Sequence, residues 1–142
     1  MATDLTWPAL GPQALAAEPA GSLLLVSTWR GPHGRNIGLR RIDPDTGSVL
    51  MRIQTDVSQG SSDYPYGLSL QPDGRIVVVG RSFLGPAGSR LLVARYEPDG
   101  SLDERFGDGG LIVSARRLNG WQATTAADDD GPCSSPPRKQ AP

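Results

Sequence analysis

The chain has 142 residues, a formal net charge of −1 at neutral pH and a single cysteine, Cys133, so it offers neither an intramolecular disulfide nor a bulk field for nucleic acid or an acidic membrane. Gly (18) and Pro (13) together supply over a fifth of the residues, punctuation that suits many short strands better than long helices. No apolar run approaches the roughly 18 residues of a membrane-spanning helix, and Asp4, Pro8 and Pro12 interrupt the N-terminal stretch where a secretory signal would be basic and then continuously apolar.

Residues 1–12 read as an irregular lead-in, with Trp7 expected to cap one end of the core. A weak strand over 13–17 runs into the turn Glu18-Pro19-Ala20-Gly21, where Pro presets φ and Gly accepts the left-handed conformation. The turn delivers a strand over 23–28. Gly31-Pro32-His33-Gly34 then breaks the chain before a strand over 37–43, in which Ile37 and Leu39 lie two apart, and the corner from Asp43 to Gly47 leads to a strand over 49–54. Four short strands with regularly spaced turns are an all-β signature.

After a polar link over 55–64 the pattern returns: a strand over 66–71, the turn Pro72-Asp73-Gly74, and strands over 76–81 and 91–96. Pro19 and Pro72 are 53 residues apart, and Pro44 and Pro98 are 54 apart; Arg41 aligns with Arg95, Ile42 with Tyr96 and Asp43 with Glu97, with Thr46 as an insertion. A constant offset at independent landmarks is a duplication. The expected organisation is a lead-in over 1–12, a two-repeat β domain over 13–120 with copies at about 13–64 and 65–118, and a disordered tail over 121–142, where Asp128 to Asp130 stand among Gly, Pro and Ser.

The run L-x-L-Q-P-D-G-R-I-V-V-V-G, followed by L-L-V-A-R-Y-x-P-D-G-S-L-D-x-x-F-G-D-G-G, resembles the delta-60 repeat, a bacterial repeat thought to build β-propeller-like blades. The matching residues are Leu68, Leu70, Pro72, Asp73, Gly74 and Gly80, then Arg95, Pro98, Asp99, Gly100, Leu102, Asp103, Phe106 and Gly107. The first copy departs from the pattern: Ala20 replaces the turn Asp, Ser27 replaces Gly80, and D-x-x-F-G is missing after Val49. The resemblance implies two blades of short antiparallel strands, either packed as a sandwich or part of a larger ring, and it carries no catalytic residues. Residues 76–79 are apolar on both faces, which fits an interior strand between stacked layers, and 91–96 reads as a second one.

Two blades are fewer than the four to eight of a closed propeller. If each outer face left about five large side chains bare, at roughly 1.5–3 kcal/mol each, the forfeited burial of about 10 kcal/mol would rival the stability of a whole domain. The expected partners are therefore a second copy of the chain or further repeats, with no nucleic acid and no membrane.

No residue is assigned to catalysis, a cofactor or a metal. His33, the one histidine, sits in a Gly/Pro loop with no nucleophile nearby in sequence, and neither G-x-S-x-G nor G-x-x-x-x-G-K-[ST] occurs. Gly107 to Gly110 reads as a tight bend. Asp43 and Asp45 have the alternation of a calcium loop but lack its third acid and distal Glu; they, with Asp103, Glu104 and Asp108, are expected to serve turns. Adjacent residues on a strand face opposite ways, so Arg40-Arg41 and Arg116-Arg117 are expected in salt bridges rather than patches. The function expected is a non-enzymatic module for binding or scaffolding; the alternatives are a propeller-type hydrolase or lactonase with an acidic or metal site, and a fragment of a longer repeat protein.

Overall fold

The turn chemistry sets the strand boundaries, and the structure, a computed structural model, describes residues 9–57, 62–83, 88–118, 127–128 and 131–132. The first copy gives β1 (Ala9–Ala17), β2 (Leu23–Gly31), β3 (Gly34–Ile42) and β4 (Val49–Thr55). The second gives β5 (Ser62–Leu70), β6 (Ile76–Phe83), β7 (Ser89–Tyr96) and β8 (Leu111–Leu118). Each copy is a four-stranded antiparallel sheet with its strands in chain order, so β6 and β7 are interior strands, as their apolar character requires.

The duplication reaches the hydrogen bonds. Three corners close identically: Gly21 N donates to Glu18 O, Gly74 N to Gln71 O and Gly100 N to Glu97 O, each at 2.9 Å. At the fourth, Gly47 N reaches Asp43 O at 2.7 Å, one residue further on, which is where the chain absorbs Thr46. Gly74 and Gly100 hold φ at 88° and 93°, a region that a side chain strains against.

Some boundaries differ from expectation. The lead-in over 1–12 is shorter than expected, because Ala9 pairs with Trp29 and Pro12 with Ser27 across register shifts; β1 is an edge strand and tolerates a proline. The polar link is shorter than 55–64 as well, since Thr55 ends β4 and Ser62 opens β5. The strand β8 completes the second sheet beyond the three strands expected there. Within 121–142, the tail expected to be disordered, β9 (Ala127–Asp128) and β10 (Gly131–Pro132) pair antiparallel, Gly131 opposite Asp128 and Pro132 opposite Ala127; the rest of that tail lies outside the described residues. Trp7, Trp121 and Cys133 lie outside the described residues.

The two sheets pack face to face around one core. Leu24, Val26, Ile37 and Leu39 of the first sheet meet Leu68, Ile76, Val78, Leu92, Ala94 and Tyr96 of the second. The pairing of faces is that of stacked blades. By the 53- and 54-residue offsets, Leu24, Val26 and Leu39 correspond to Val77, Val79 and Val93, which point away from the interface into a separate cluster. Conversely, Leu68, Ile76 and Ala94, all in the interface, correspond to Leu15, Leu23 and Arg40 on the outer side of the first sheet. The sandwich therefore joins unlike faces head to tail. A sandwich with two-fold symmetry would bury equivalent positions together.

The outer face of the second sheet is less bare than burial arithmetic from the sequence suggests. Val77, Val79 and Val93 are at most 3% exposed, because the segment after β7 folds back and sets Phe106 against them beside Leu91. The first copy lacks that segment, and Leu15 and Leu50 stay 60% and 57% exposed.

Candidate functional site

Each acidic corner begins with an aspartate whose short side chain can reach the amide two residues ahead. Asp43 Oδ1 accepts from Asp45 N at 2.9 Å, Asp73 Oδ1 from Arg75 N at 3.0 Å, Asp99 Oδ1 from Ser101 N at 2.9 Å and Asp103 Oδ1 from Arg105 N at 3.1 Å. Of the two alternating carboxylates that resemble a calcium loop, Asp43 is thus engaged by the backbone amide of the other, Asp45. No group of three or more metal-ligating side chains is gathered among the described residues. Gly107 to Gly110 form the expected bend, with Gly110 N donating to Phe106 O at 2.7 Å.

Asp103 is the centre of this end of the molecule. It is 1% exposed, and its Oδ2 takes Arg95 Nε at 2.9 Å and Arg95 Nη2 at 2.8 Å, with Arg75 Nε at 3.2 Å. Burial works against its charge, but the Arg105 amide and the Arg95 and Arg75 guanidiniums outweigh it and hold the carboxyl below its ordinary range. The backbone closes around the same strand: Asp103 N donates to Arg95 O and Arg95 N to Gly110 O, both at 2.9 Å. Arg95 also lies 4.5 Å from the Phe106 ring centroid. The D-x-x-F-G segment is therefore a clamp on β7 and a cover for the valines beneath it.

Across the sheets, Arg41 makes the salt bridge expected of it. Its Nε donates to Glu18 Oε2 at 2.6 Å and its Nη2 to Glu18 Oε1 at 2.8 Å, while Nη2 also reaches Pro98 O, at 2.7 Å, in the second copy. The hydrogen bonds from Arg41, then from Ser22, lower the Glu18 carboxyl below its usual value despite partial burial. Arg40 faces the other way and is buried. The side chains of Arg116 and Arg117 lie outside the described residues.

The opposite end, away from the corners, carries a group that sequence spacing does not bring together. The β2–β3 hairpin turns at Pro32 and His33, both exposed, so His33 sits at the tip with no catalytic partner among the described residues. Arg35 donates its amide to Ser62 Oγ at 3.4 Å, which ties this hairpin to β5. The Tyr64 ring on β5 has Arg35 Cζ 5.8 Å and Arg81 Cζ 5.2 Å from its centroid, and Arg81 is also 5.8 Å from the Tyr66 ring. Beside them Asp63, fully buried, accepts from Ser82 Oγ at 2.9 Å and Val57 N at 3.1 Å, closing the chain after β4 onto the second sheet. Signals for this group exist only one residue at a time: basic and aromatic residues scattered over three strands.

Open clefts lie on the surface as well. One of about 390 Å³ runs along Val57, Asp108, Leu111, Ile112 and Val113, and one of about 320 Å³ lies beneath Asp43, Asp45 and Leu50. Ser22 also lines the second, and its hydroxyl donates to Glu18 Oε2.

A family model described as "Domain of unknown function (DUF5122) beta-propeller" matches residues 71–106. No curated protein and no solved structure matches the chain. The matched segment runs from the β5–β6 corner to Phe106, so it holds both interior strands and the clamp, and the chain carries a β-propeller-like repeat.

Proposed function

We propose that this is a non-enzymatic scaffold module of the delta-60 type, which acts by stacking blades head to tail with a second copy of itself. The observation that carries the reading is the use of unlike faces in the sheet–sheet interface. The outer face of the first sheet, with Leu15, Leu23, Leu25 and Leu50, is the counterpart of the face that the second sheet already uses. The outer face of the second sheet, with Leu91 and Ile112, is the counterpart of the face that the first sheet uses, with Phe106, which has no counterpart in the first copy, laid over its valines. One surface of each kind remains on every chain, so the existing interface continues into the next copy. Contacts of this heterologous type close into rings or extend into filaments. Burying Leu15 and Leu50 fully would contribute roughly 1.5–3 kcal/mol each. Support for a non-enzymatic role comes from the corner aspartates Asp43, Asp73, Asp99 and Asp103, each of which uses its Oδ1 to accept from a backbone amide.

Sedimentation equilibrium across protein concentration tests it. Wild type is expected to associate, and Leu15→Glu or Leu50→Glu, at positions exposed in the single chain, to give a folded monomer. A wild-type protein that stays monomeric at about 100 μM and binds no apolar dye would overturn the stacking. A stoichiometric cation in the purified protein would favour the hydrolase alternative instead.

A further inference from the structure

We propose that the junction of Arg35, Tyr64 and Arg81 is a binding site for an oxyanion, a phosphate or carboxylate group carried by a small ligand. It does not depend on the stacking proposed above.

Three observations lead there. First, two guanidiniums from different sheets converge on one ring, their carbons no more than about 11 Å apart, the sum of their distances to its centroid. A guanidinium lying over a ring uses its face for that contact and keeps its planar N–H fork free to bind edge-on, the geometry that matches carboxylate and phosphate. Second, another cationic group and an unmet donor stand nearby. Arg30 is exposed and pairs directly with Arg35 across the hairpin. Arg81 Nε is buried and has no hydrogen-bond partner among the described residues, an arrangement that ordinarily calls for an acceptor. The ion pairs of Arg41, Arg75, Arg95 and Arg105 lie at the corner end instead. The buried carboxylate of Asp63, which adjoins Tyr64 in the chain, accepts from Ser82 Oγ and Val57 N.

Third, the junction is not part of the repeat. The counterpart of Arg81 in the first copy is Thr28, and the counterpart of Arg35 in the second is Ser89. Each copy folds its sheet without the other's arginine, so building a blade does not explain the pair. It exists once, where the two sheets meet, and junctions of this kind are favoured places for ligand sites.

The test uses the whole chain at fixed ionic strength, with inorganic phosphate or tricarballylate replacing chloride. The expected result is a saturable rise in melting temperature, about 5 °C at ten times Kd, with Kd raised tenfold or more in Arg35→Gln and in Arg81→Gln. Arg105→Gln, an exposed arginine at the other end, serves as the unchanged control. A response to phosphate alone or to tricarballylate alone assigns the group, and a response to both keeps the shared oxyanion chemistry. Should a site variant fail to fold, titrating wild type while following the arginine Nε resonances decides: saturable shifts at Arg35 and Arg81 support the site. No response beyond chloride, or an equal loss in Arg105→Gln, overturns it.

Discussion

Replacing Tyr96 by Phe asks whether the two sheets melt as one body. Tyr96 on β7 is fully buried and Thr55 on β4 is 6% exposed, and their hydroxyls meet at 2.7 Å across the interface. Tyr96→Phe keeps the ring and its packing but leaves the Thr55 hydroxyl without this partner, a loss of about 1–3 kcal/mol for a buried polar group. Thr55→Val strands the tyrosine hydroxyl at a similar cost. The double variant removes both polar groups, so it should cost less than the sum of the singles, with a coupling of about 1 kcal/mol. The assay is equilibrium urea unfolding of the four proteins, each expected to show one transition and a common slope. Strictly additive single effects, to within about 0.4 kcal/mol, would refute the shared core, because the two hydroxyls would then not be meeting. Two separate transitions would refute it more directly.

The same tyrosine sets an alkaline limit. Burial pushes its hydroxyl well above the ordinary value of 10.0, with the Thr55 hydrogen bond opposing it. The unfolded chain loses this proton from about pH 10 while the folded one keeps it, so stability should fall by about 1.4 kcal/mol per pH unit above that point; urea titrations of Tyr96→Phe should show a flatter limb. In acid the sign reverses. Asp103 and Glu18 have lowered values in the fold, so their stabilisation is complete above about pH 4–5 and is lost as the pH falls through the folded values. Asp103→Asn should flatten the acid limb and cost about 2 kcal/mol at neutral pH by unpairing Arg95; an unchanged limb in thermal melts from pH 2 to 6 would count against the clamp. Gly80→Ala should cost more than about 3 kcal/mol, because a Cβ there would stand 2.0 Å from Tyr64 O and 2.8 Å from Pro65 Cα, both backbone. Its first-copy counterpart gives the contrast: Ser27 Oγ is buried with no hydrogen-bond partner among the described residues, so Ser27→Ala should be neutral or mildly stabilising by chemical denaturation.

What was legible in the sequence was whatever a few neighbouring residues decide. Pro-Asp-Gly and its degraded copies place the corners because φ at proline, the reach of an aspartate oxygen and the tolerance of glycine are local properties. The inserted Thr46 shifts one hydrogen bond by one residue, and Ile76 to Val79 announce a strand buried on both sides. Local chemistry also explains why Asp43, Asp73 and Asp99 belong to turns. The tertiary structure alone decided which face of each sheet meets the other, since Leu24 and Val77 are equivalent in sequence yet lie on opposite sides of the second sheet. It also decided that Phe106 covers the valines, that Arg41 reaches Pro98 in the other copy, and that Gly80 is required by the close approach of Tyr64. The Arg35–Tyr64–Arg81 junction is the clearest case. Its members are far apart along the chain and follow no repeat, and only the docking of two sheets makes them neighbours, because cation–ring contacts fall off within a few ångströms.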